Sequence, residues 1–256
     1  MLPLDVKSTI GQPFIELPLV ESTNIYAMDH LQANLAAHGT VIFAHSQTKG
    51  KGQYGKNWET EADKNLTMSV ILDCSFLSLQ NQFPLCVMIA VSFHDLVIKY
   101  APVETSIKWP NDLYWRDRKA GGILIENLVR GNKWLGSVVG IGLNLNQTEF
   151  PEMLKNPVSL QQIVGKQLEP MNLAKEFCTY LEIRYQQLRN GDIEGLLKQY
   201  NKYLYKVDQK AKLQYKSEVF DCIIKAVGPD GELKVQNGLK DSFQFGEVEW
   251  LFSCKS

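Results

Sequence analysis

The sequence predicts an α+β protein with a small all-β unit at its C-terminal end. Up to about residue 205, helical and strand patterns come in mixed order, which argues for α+β rather than for a doubly wound sheet. Beyond it, short strands with tight turns over about fifty residues suggest a small barrel. A chain of 256 residues has room for a main domain plus a small one. The expected division is 1–205 and 206–256.

The first helix is predicted from Ser22-Thr23-Asn24, where Ser22 or Thr23 serves as N-cap. Ile25, Met28, Leu31 and Leu35 then recur at roughly helical spacing until Gly39. Residues 39–45 and 65–73 read as strands, separated by a polar, glycine-rich stretch. Residues 83–100 form the strongest helical pattern, with Phe83, Cys86, Val87, Ala90, Phe93 and Val97 on one face. Strands are expected at 105–109, where Pro110 keeps Trp109 extended, and at 112–115, 122–129 and 133–146. Helices return at about 172–188 and 193–203. The C-terminal strands include 218–227, with Phe220, Cys222, Ile224 and Ala226 on one face, then Leu233 and Val235, and finally Val248, Trp250 and Phe252.

Composition narrows the function classes. Lys+Arg total 27 and Asp+Glu 28, a net charge of −1, so there is no basic field for nucleic acid and no such partner is expected. With 45% hydrophobic and 21% charged residues, wholesale disorder is excluded. No apolar run reaches the roughly 18 residues of a membrane-spanning helix. The opening residues lack a charged stretch followed by an apolar one, so a cytoplasmic protein without a membrane partner is expected. Cys74, Cys86, Cys178, Cys222 and Cys254 form no CxxC pair and read as reduced thiols. His30, His38, His45 and His94 show no ligand spacing, so no structural zinc is expected and metal ligands are not assigned.

Three segments could carry chemistry. Lys49-Gly50-Lys51-Gly52-Gln53-Tyr54-Gly55-Lys56-Asn57-Trp58 is either an anion cradle of backbone N–H groups and lysines or a flexible surface loop. It is not a Walker A loop. Lys108-Trp109-Pro110-Asn111-Asp112, followed by Lys119-Ala120-Gly121-Gly122, is either a phosphate- or carboxylate-reaching lysine beside close-approaching backbone or a solvated polar hairpin. In Gly140-Ile141-Gly142-Leu143-Asn144, strand periodicity puts Gly140, Gly142 and Asn144 on one face. That face suits a flat ligand lying on the sheet, or close packing against a neighbouring element.

In this order the pieces resemble the biotin protein ligase family. The resemblance rests on Glu21-Ser22-Thr23-Asn24, Gln47 with the Gly50–Gly55 loop and Trp58, Lys108-Trp109-Pro110-Asn111-Asp112, Lys119-Ala120-Gly121-Gly122-Ile123-Leu124 and Gly140-Ile141-Gly142-Leu143-Asn144. It implies a catalytic domain related to class II aminoacyl-tRNA synthetases and lipoate ligases, and an SH3-like C-terminal domain. It implies that biotin and Mg²⁺-ATP form biotinyl-5′-adenylate, and that a lysine ε-amine on a biotin carboxyl carrier domain then attacks it. Carried over residue by residue, Ser22, Thr23, Asn24, Gln47, Gly121 and Gly122 belong to the biotin pocket. Lys51, Gly52 and Gln53 form the ligand-covering loop. Lys119 is the key lysine, Asp112 the carboxylate that receives the incoming amine, and Trp58, Gly142 and Asn144 hold the nucleotide with Lys51 and Lys119. The family loop most often has arginines where this chain has Lys51 and Gln53. With 21 residues ahead of Ser22, a form without a helix-turn-helix domain is expected, as a monomer or homodimer. Lipoate ligase and octanoyl transferase on the same fold are the competing enzymes, and a non-catalytic binding module the competing class.

Overall fold

The structure, a computed structural model, describes residues 9–252. Cys254 and the opening residues 1–8 lie outside it. Among the described residues the main sheet has seven strands: β1 (Phe14–Leu17), β2 (Val41–Ala44), β3 (Leu66–Leu72), β4 (Thr105–Lys108), β5 (Asp112–Trp115), β6 (Arg118–Arg130) and β7 (Lys133–Leu143). Their order is β1-β2-β3-β7-β6-β5-β4, antiparallel except for the parallel pair β1–β2. The helices are α1 (Thr23–Gln32), α2 (Phe83–Ile98), α3 (Leu160–Val164), α4 (Pro170–Arg189) and α5 (Ile193–Lys202). This is the expected α+β architecture.

The two faces of the sheet differ. On one face Leu66, Met68, Val70 and Leu72 of β3 and Val139, Ile141 and Leu143 of β7 pack with residues of α2 and α4. On the other, Ile42, Ile71 and Val138 pack against Ala27 of α1. Because α2 also packs against α4 and α5, burial extends beyond the predicted face to Leu85, Met88, Ile89 and Val91. Phe83 and Cys86 are only half-buried.

α1 departs furthest from expectation. It ends at Gln32, well before Gly39, and Leu35 is 74% exposed. Its buried residues are Thr23, Asn24 and Ala27, because the N-terminal turn has polar partners on the sheet. Ser22 is the N-cap by backbone geometry, but its side chain makes no capping hydrogen bond. The four-residue strand β1 was not anticipated, being too short for a period to show. β6 starts earlier than predicted, and β7 stops at Leu143.

The C-terminal sheet comprises β8 (Lys210–Tyr215), β9 (Glu218–Val227), β10 (Leu233–Gln236), β11 (Ser242–Phe243) and β12 (Val248–Leu251), in the order β11-β10-β9-β8-β12. It forms the small SH3-like unit. A register shift between Lys234 and Val235 in the β9–β10 pairing moves the buried set of β9 from Cys222 and Ile224 to Val227, in place of Ala226. Leu213, Ile224, Leu233 and Phe243 are continuous with the main core. Trp109 Nε1 donates to the Gly231 carbonyl at 2.9 Å, joining the two sheets.

Cys74, Cys178 and Cys222 are buried and Cys86 is half-buried, all as free thiols. Burial pushes Cys74 and Cys178 up to about 12, and Cys86 and Cys222 up to about 11, which makes them poor nucleophiles.

Candidate active site

A cavity of about 550 Å³ lies where the start of α1, the 49–58 loop, the β4–β5 turn and the C-terminal unit meet over β3 and β7. Strand pairing sets its floor. Thr67 faces Gly142 and Ser69 faces Gly140, next to the Ile71–Val138 pair that α1 covers. A Cβ at Gly140 would lie 2.3 Å from Asn24 Oδ1, and one at Gly142 2.4 Å from the Trp58 ring. The glycines therefore admit these two side chains down to the sheet. Of the two readings of this face, the contacts are those of close packing against neighbouring elements, and both glycines still line the cavity.

A hydrogen-bonded chain crosses this floor. Gln47 Oε1 accepts from the Thr23 backbone N–H at 2.8 Å and from its hydroxyl at 3.2 Å. Ser69 Oγ lies 2.8 Å from Thr23 Oγ1 and 2.6 Å from Asn24 Oδ1, and its single proton serves one of them at a time. Asn24 Nδ2 donates to Glu126 Oε2 at 2.8 Å, and Glu126 Oε1 sits 3.5 Å from Lys51 Nζ. Thr23, Asn24 and Ser69 are all buried, so these bonds hold their side chains in fixed orientations, with Ser22 buried beside them. Sequence reading missed Ser69 and Glu126. Ser69 leaves a faint local trace, since Thr67 and Ser69 place hydroxyls two apart in an otherwise apolar strand, on one face, and Glu126 leaves none.

The second half of the site is the β5–β6 hairpin. Lys119 Nζ pairs with Asp112 Oδ1 at 2.6 Å, both side chains being partly buried. A Cβ at Gly122 would sit 3.2 Å from Asp112 Oδ1 and 3.4 Å from Lys119 Nζ, so glycine leaves room for the pair. Gly121 does not line the cavity. It faces the opposite side, where a Cβ would meet Phe93 at 2.7 Å, so its role is helix–sheet packing. Asn144 lines the cavity, but its amide nitrogen donates to the carbonyls of Lys119 at 3.4 Å and Val158 at 3.2 Å. It thereby fastens the chain at Lys119. Lys119 Nζ also lies 5.9 Å from the centre of the Trp58 ring, whose buried indole N–H has no partner among the described residues.

Lys108 points between the rings of Tyr114, Trp250 and Phe252, at 5.2, 5.4 and 5.8 Å. Burial pushes its ammonium down to about 8, against the pull of the Asp112 carboxylate. Its motif was singled out in the sequence, but its cage was not, since two of the three rings come from the C-terminal end.

The 49–58 segment is a small hairpin. Trp58 N–H donates to the Gly50 carbonyl at 2.8 Å, Gly52 N–H to the Lys56 carbonyl at 2.6 Å, and Lys51 bridges Asn57. A Cβ at Gly50 would clash with the Trp58 carbonyl at 2.2 Å. Lys51, Gly52, Gln53 and Trp58 all line the cavity, as do Ser22, Thr23, Asn24, Gln47, Asp112, Lys119, Gly122 and Gly142. Phe245, Gly246, Trp250 and Phe252 complete the wall from the C-terminal unit. The described residues hold no group of three or more His, Cys, Asp or Glu placed to bind a metal ion.

Known proteins are similar to this chain in sequence and in fold. The bifunctional ligase/repressor BirA of Bacillus spizizenii is 28% identical over 238 residues, covering 90% of this chain and 72% of that protein. The biotin–[acetyl-CoA-carboxylase] ligase of Mycobacterium tuberculosis is 29% identical over 175 residues, 67% of this chain and 63% of the other. The structure of Aquifex aeolicus biotin protein ligase with biotin and ATP matches the fold with a TM-score of 0.78 at 23% identity, covering 94% of this chain and 99% of that one. Residues 16–144, which hold every cavity-lining residue except those at 153–157 and in the C-terminal unit, match the model of the biotin/lipoate A/B protein ligase family, and the chain belongs to that family.

Proposed function

We propose that this chain is a biotin protein ligase that activates biotin with Mg²⁺-ATP and transfers it to the ε-amine of a lysine on a biotin carboxyl carrier domain. The observation that carries the reading is the grouping of Lys51, Lys108 and Lys119 around one cavity, with the Asp112 carboxylate among them. Activation brings a carboxylate onto an α-phosphate, two anions that repel, and cations fixed in a partly water-excluded site offset that repulsion. A biotin carboxylate oxygen bonds to the α-phosphorus as the bond to pyrophosphate breaks. The carrier amine then bonds to the acyl carbon and AMP leaves.

In this reading the Ser22–Thr23–Asn24–Gln47 network holds the biotin head group, and the Lys51 loop covers it. Lys119 stabilises charge at the carboxylate–phosphate junction. Asp112 orients Lys119 through one oxygen and takes a proton from the carrier ammonium, which must be neutral to attack. Trp58 offers its free indole N–H to the ligand, and Gly142 gives its ring room. Magnesium, typically held by few protein ligands beside substrate phosphates, enters as part of the nucleotide substrate. Catalysis falls to 1–205 and the remaining cavity wall to 206–256. A net charge of −1 favours a protein carrier over nucleic acid, and the cytoplasm is the expected compartment. Octanoyl transfer through a cysteine is disfavoured, since none of the cysteines among the described residues lines the cavity.

Incubation with Mg²⁺-ATP and biotin, lipoate or octanoate, followed by intact-mass detection of the adenylate, tests the reading. Biotinyl-adenylate is the expected product. Pyrophosphate release with lipoate and none with biotin would overturn the assignment.

A further inference from the structure

The tip of the 49–58 loop carries a residue that its own hairpin does not explain. Tyr54 has φ +54°, a left-handed conformation uncommon for a residue with a side chain, and the residue is 70% exposed. The ring reaches out of the main domain to Phe245, with centroids 5.5 Å apart. Phe245 lies in the turn between β11 and β12. That turn is closed by Gln244 N–H donating to Glu247 Oε2 at 2.8 Å and by Glu247 N–H donating to the Gln244 carbonyl at 3.0 Å. Phe245 also meets the buried Trp109 ring edge-on at 6.1 Å, and Trp109 is hydrogen-bonded to the Gly231 carbonyl. Next to it, Gly246 has φ +84°, and a Cβ there would lie 2.9 Å from the Tyr54 hydroxyl. One strained aromatic, one aromatic anchored from below and one glycine that makes room thus converge on a single contact.

We propose that Phe245 and Gly246 are positioning residues for the 49–58 loop: they clasp Tyr54 and thereby hold Lys51 over the cavity. The C-terminal unit then sets how readily the loop opens. Lys51 itself is secured on the inner side only by a 3.5 Å ion pair with Glu126, both groups being partly exposed, and such a pair is weak. The aromatic contact on the outer side is worth about a fivefold shift in the opening equilibrium. Building on the proposed function, loop opening is the step by which activated biotin escapes before transfer, so the clasp also sets adenylate retention.

Limited trypsin digestion of the ligand-free full chain tests the clasp without reference to any substrate. Cleavage after Lys51 and Lys56 requires the loop to open, and its rate follows the open population. Phe245→Ala and Tyr54→Ala are each expected to speed this cleavage about fivefold, the double variant no more than either single one, and Tyr54→Phe not at all, since the ring remains. Release of preformed biotinyl-adenylate should accelerate in parallel. Should Phe245→Ala unfold the C-terminal unit, Tyr54→Ala, a loop change, still decides. Cleavage at the wild-type rate in Tyr54→Ala, or effects that multiply in the double variant, would overturn the proposal. A wild-type chain that makes no biotinyl-adenylate would sink the functional reading, while the digestion result would stand.

Discussion

The site is built from two lysine-bearing segments of opposite character. The β5–β6 hairpin around Lys119 is fastened on every side. β5 pairs with β4 and β6, Asn144 bonds to the Lys119 carbonyl, and the Lys119 ammonium sits 2.6 Å from a carboxylate that is 18% exposed. The 49–58 hairpin is not part of the sheet. It closes on itself, and its lysine is 44% exposed and 3.5 Å from its carboxylate. A cation that must meet charge developing at one atom gains from being immobile, because no reorganisation is needed at that moment. A cover must move to admit substrate. Under the proposed function, the first segment serves as the reaction centre and the second as the lid.

The largest effect expected from this contrast is at Lys119. Lys119→Ala should slow adenylation by roughly 10²-fold or more, read as pyrophosphate release under single turnover. In a solvated polar hairpin, one of the two sequence readings, Lys119 would matter little to stability. The ion pair changes that, since the substitution leaves a partly buried carboxylate without its cation, at a cost of about 1 kcal/mol. A small fall in Tm is therefore expected. Adenylation at the normal rate in a folded Lys119→Ala variant would break the assignment of the rigid half.

Asp112 sharpens it. Sequence reading gives it the carrier amine alone, so that Asp112→Asn spares adenylation. With Oδ1 committed to Lys119, both steps are expected to fall, adenylation by several-fold and transfer by about 10²-fold. A single-turnover assay from preformed adenylate separates them. Equal losses in the two steps would leave Asp112 only its hold on Lys119.

The contrast also marks what the sequence discloses. Segments that line the cavity through backbone and fixed side chains show up as motifs, because glycines and lysines at set spacing are constrained locally. Thus Ser22–Asn24, Lys119 and the Gly140–Gly142 strand were legible, and so was the α+β frame, from apolar periods such as that of 83–100. Gly121 was misassigned because its neighbour Gly122 serves the site, whereas Gly121 serves the packing of Phe93. Two adjacent glycines on a strand face opposite ways, so one pair carried two meanings. Ser69, Glu126 and the aromatic wall of Phe245, Trp250 and Phe252 escaped because they act through partners distant in the chain: Asn24 is 102 residues from Glu126. Non-local pairing of this kind leaves little trace in one sequence.

On the movable side, Lys51→Ala should raise KM for biotin and ATP and weaken adenylate retention by about tenfold, with a smaller loss in kcat. That split is the signature of a covering residue. A loss in kcat as large as that of Lys119→Ala would place Lys51 at the reaction centre and dissolve the distinction between the two halves.

The smallest expected effect joins the halves. Lys108 lies on β4, beside the rigid segment, but its cage of Tyr114, Trp250 and Phe252 is shared with the C-terminal unit. The charges that bear on it are Asp112 and Glu249, which favour the ammonium, and Lys119 and Lys56, which oppose it. Burial outweighs them, so the group loses its proton near pH 8, well below an ordinary lysine. Only the charged form attracts a triphosphate. Well below pH 8 it is protonated and its contribution is nearly complete, and as pH rises through about 8 the contribution is lost. The value of kcat/KM for ATP should therefore fall a few-fold between about pH 7 and 9, with an apparent pKa near 8 that belongs to the free enzyme. Lys108→Arg keeps its charge over this whole range and should flatten the alkaline limb, even if the larger guanidinium lowers the plateau. Persistence of the limb in Lys108→Arg would assign it to another group and leave Lys108 a packing role between the two sheets.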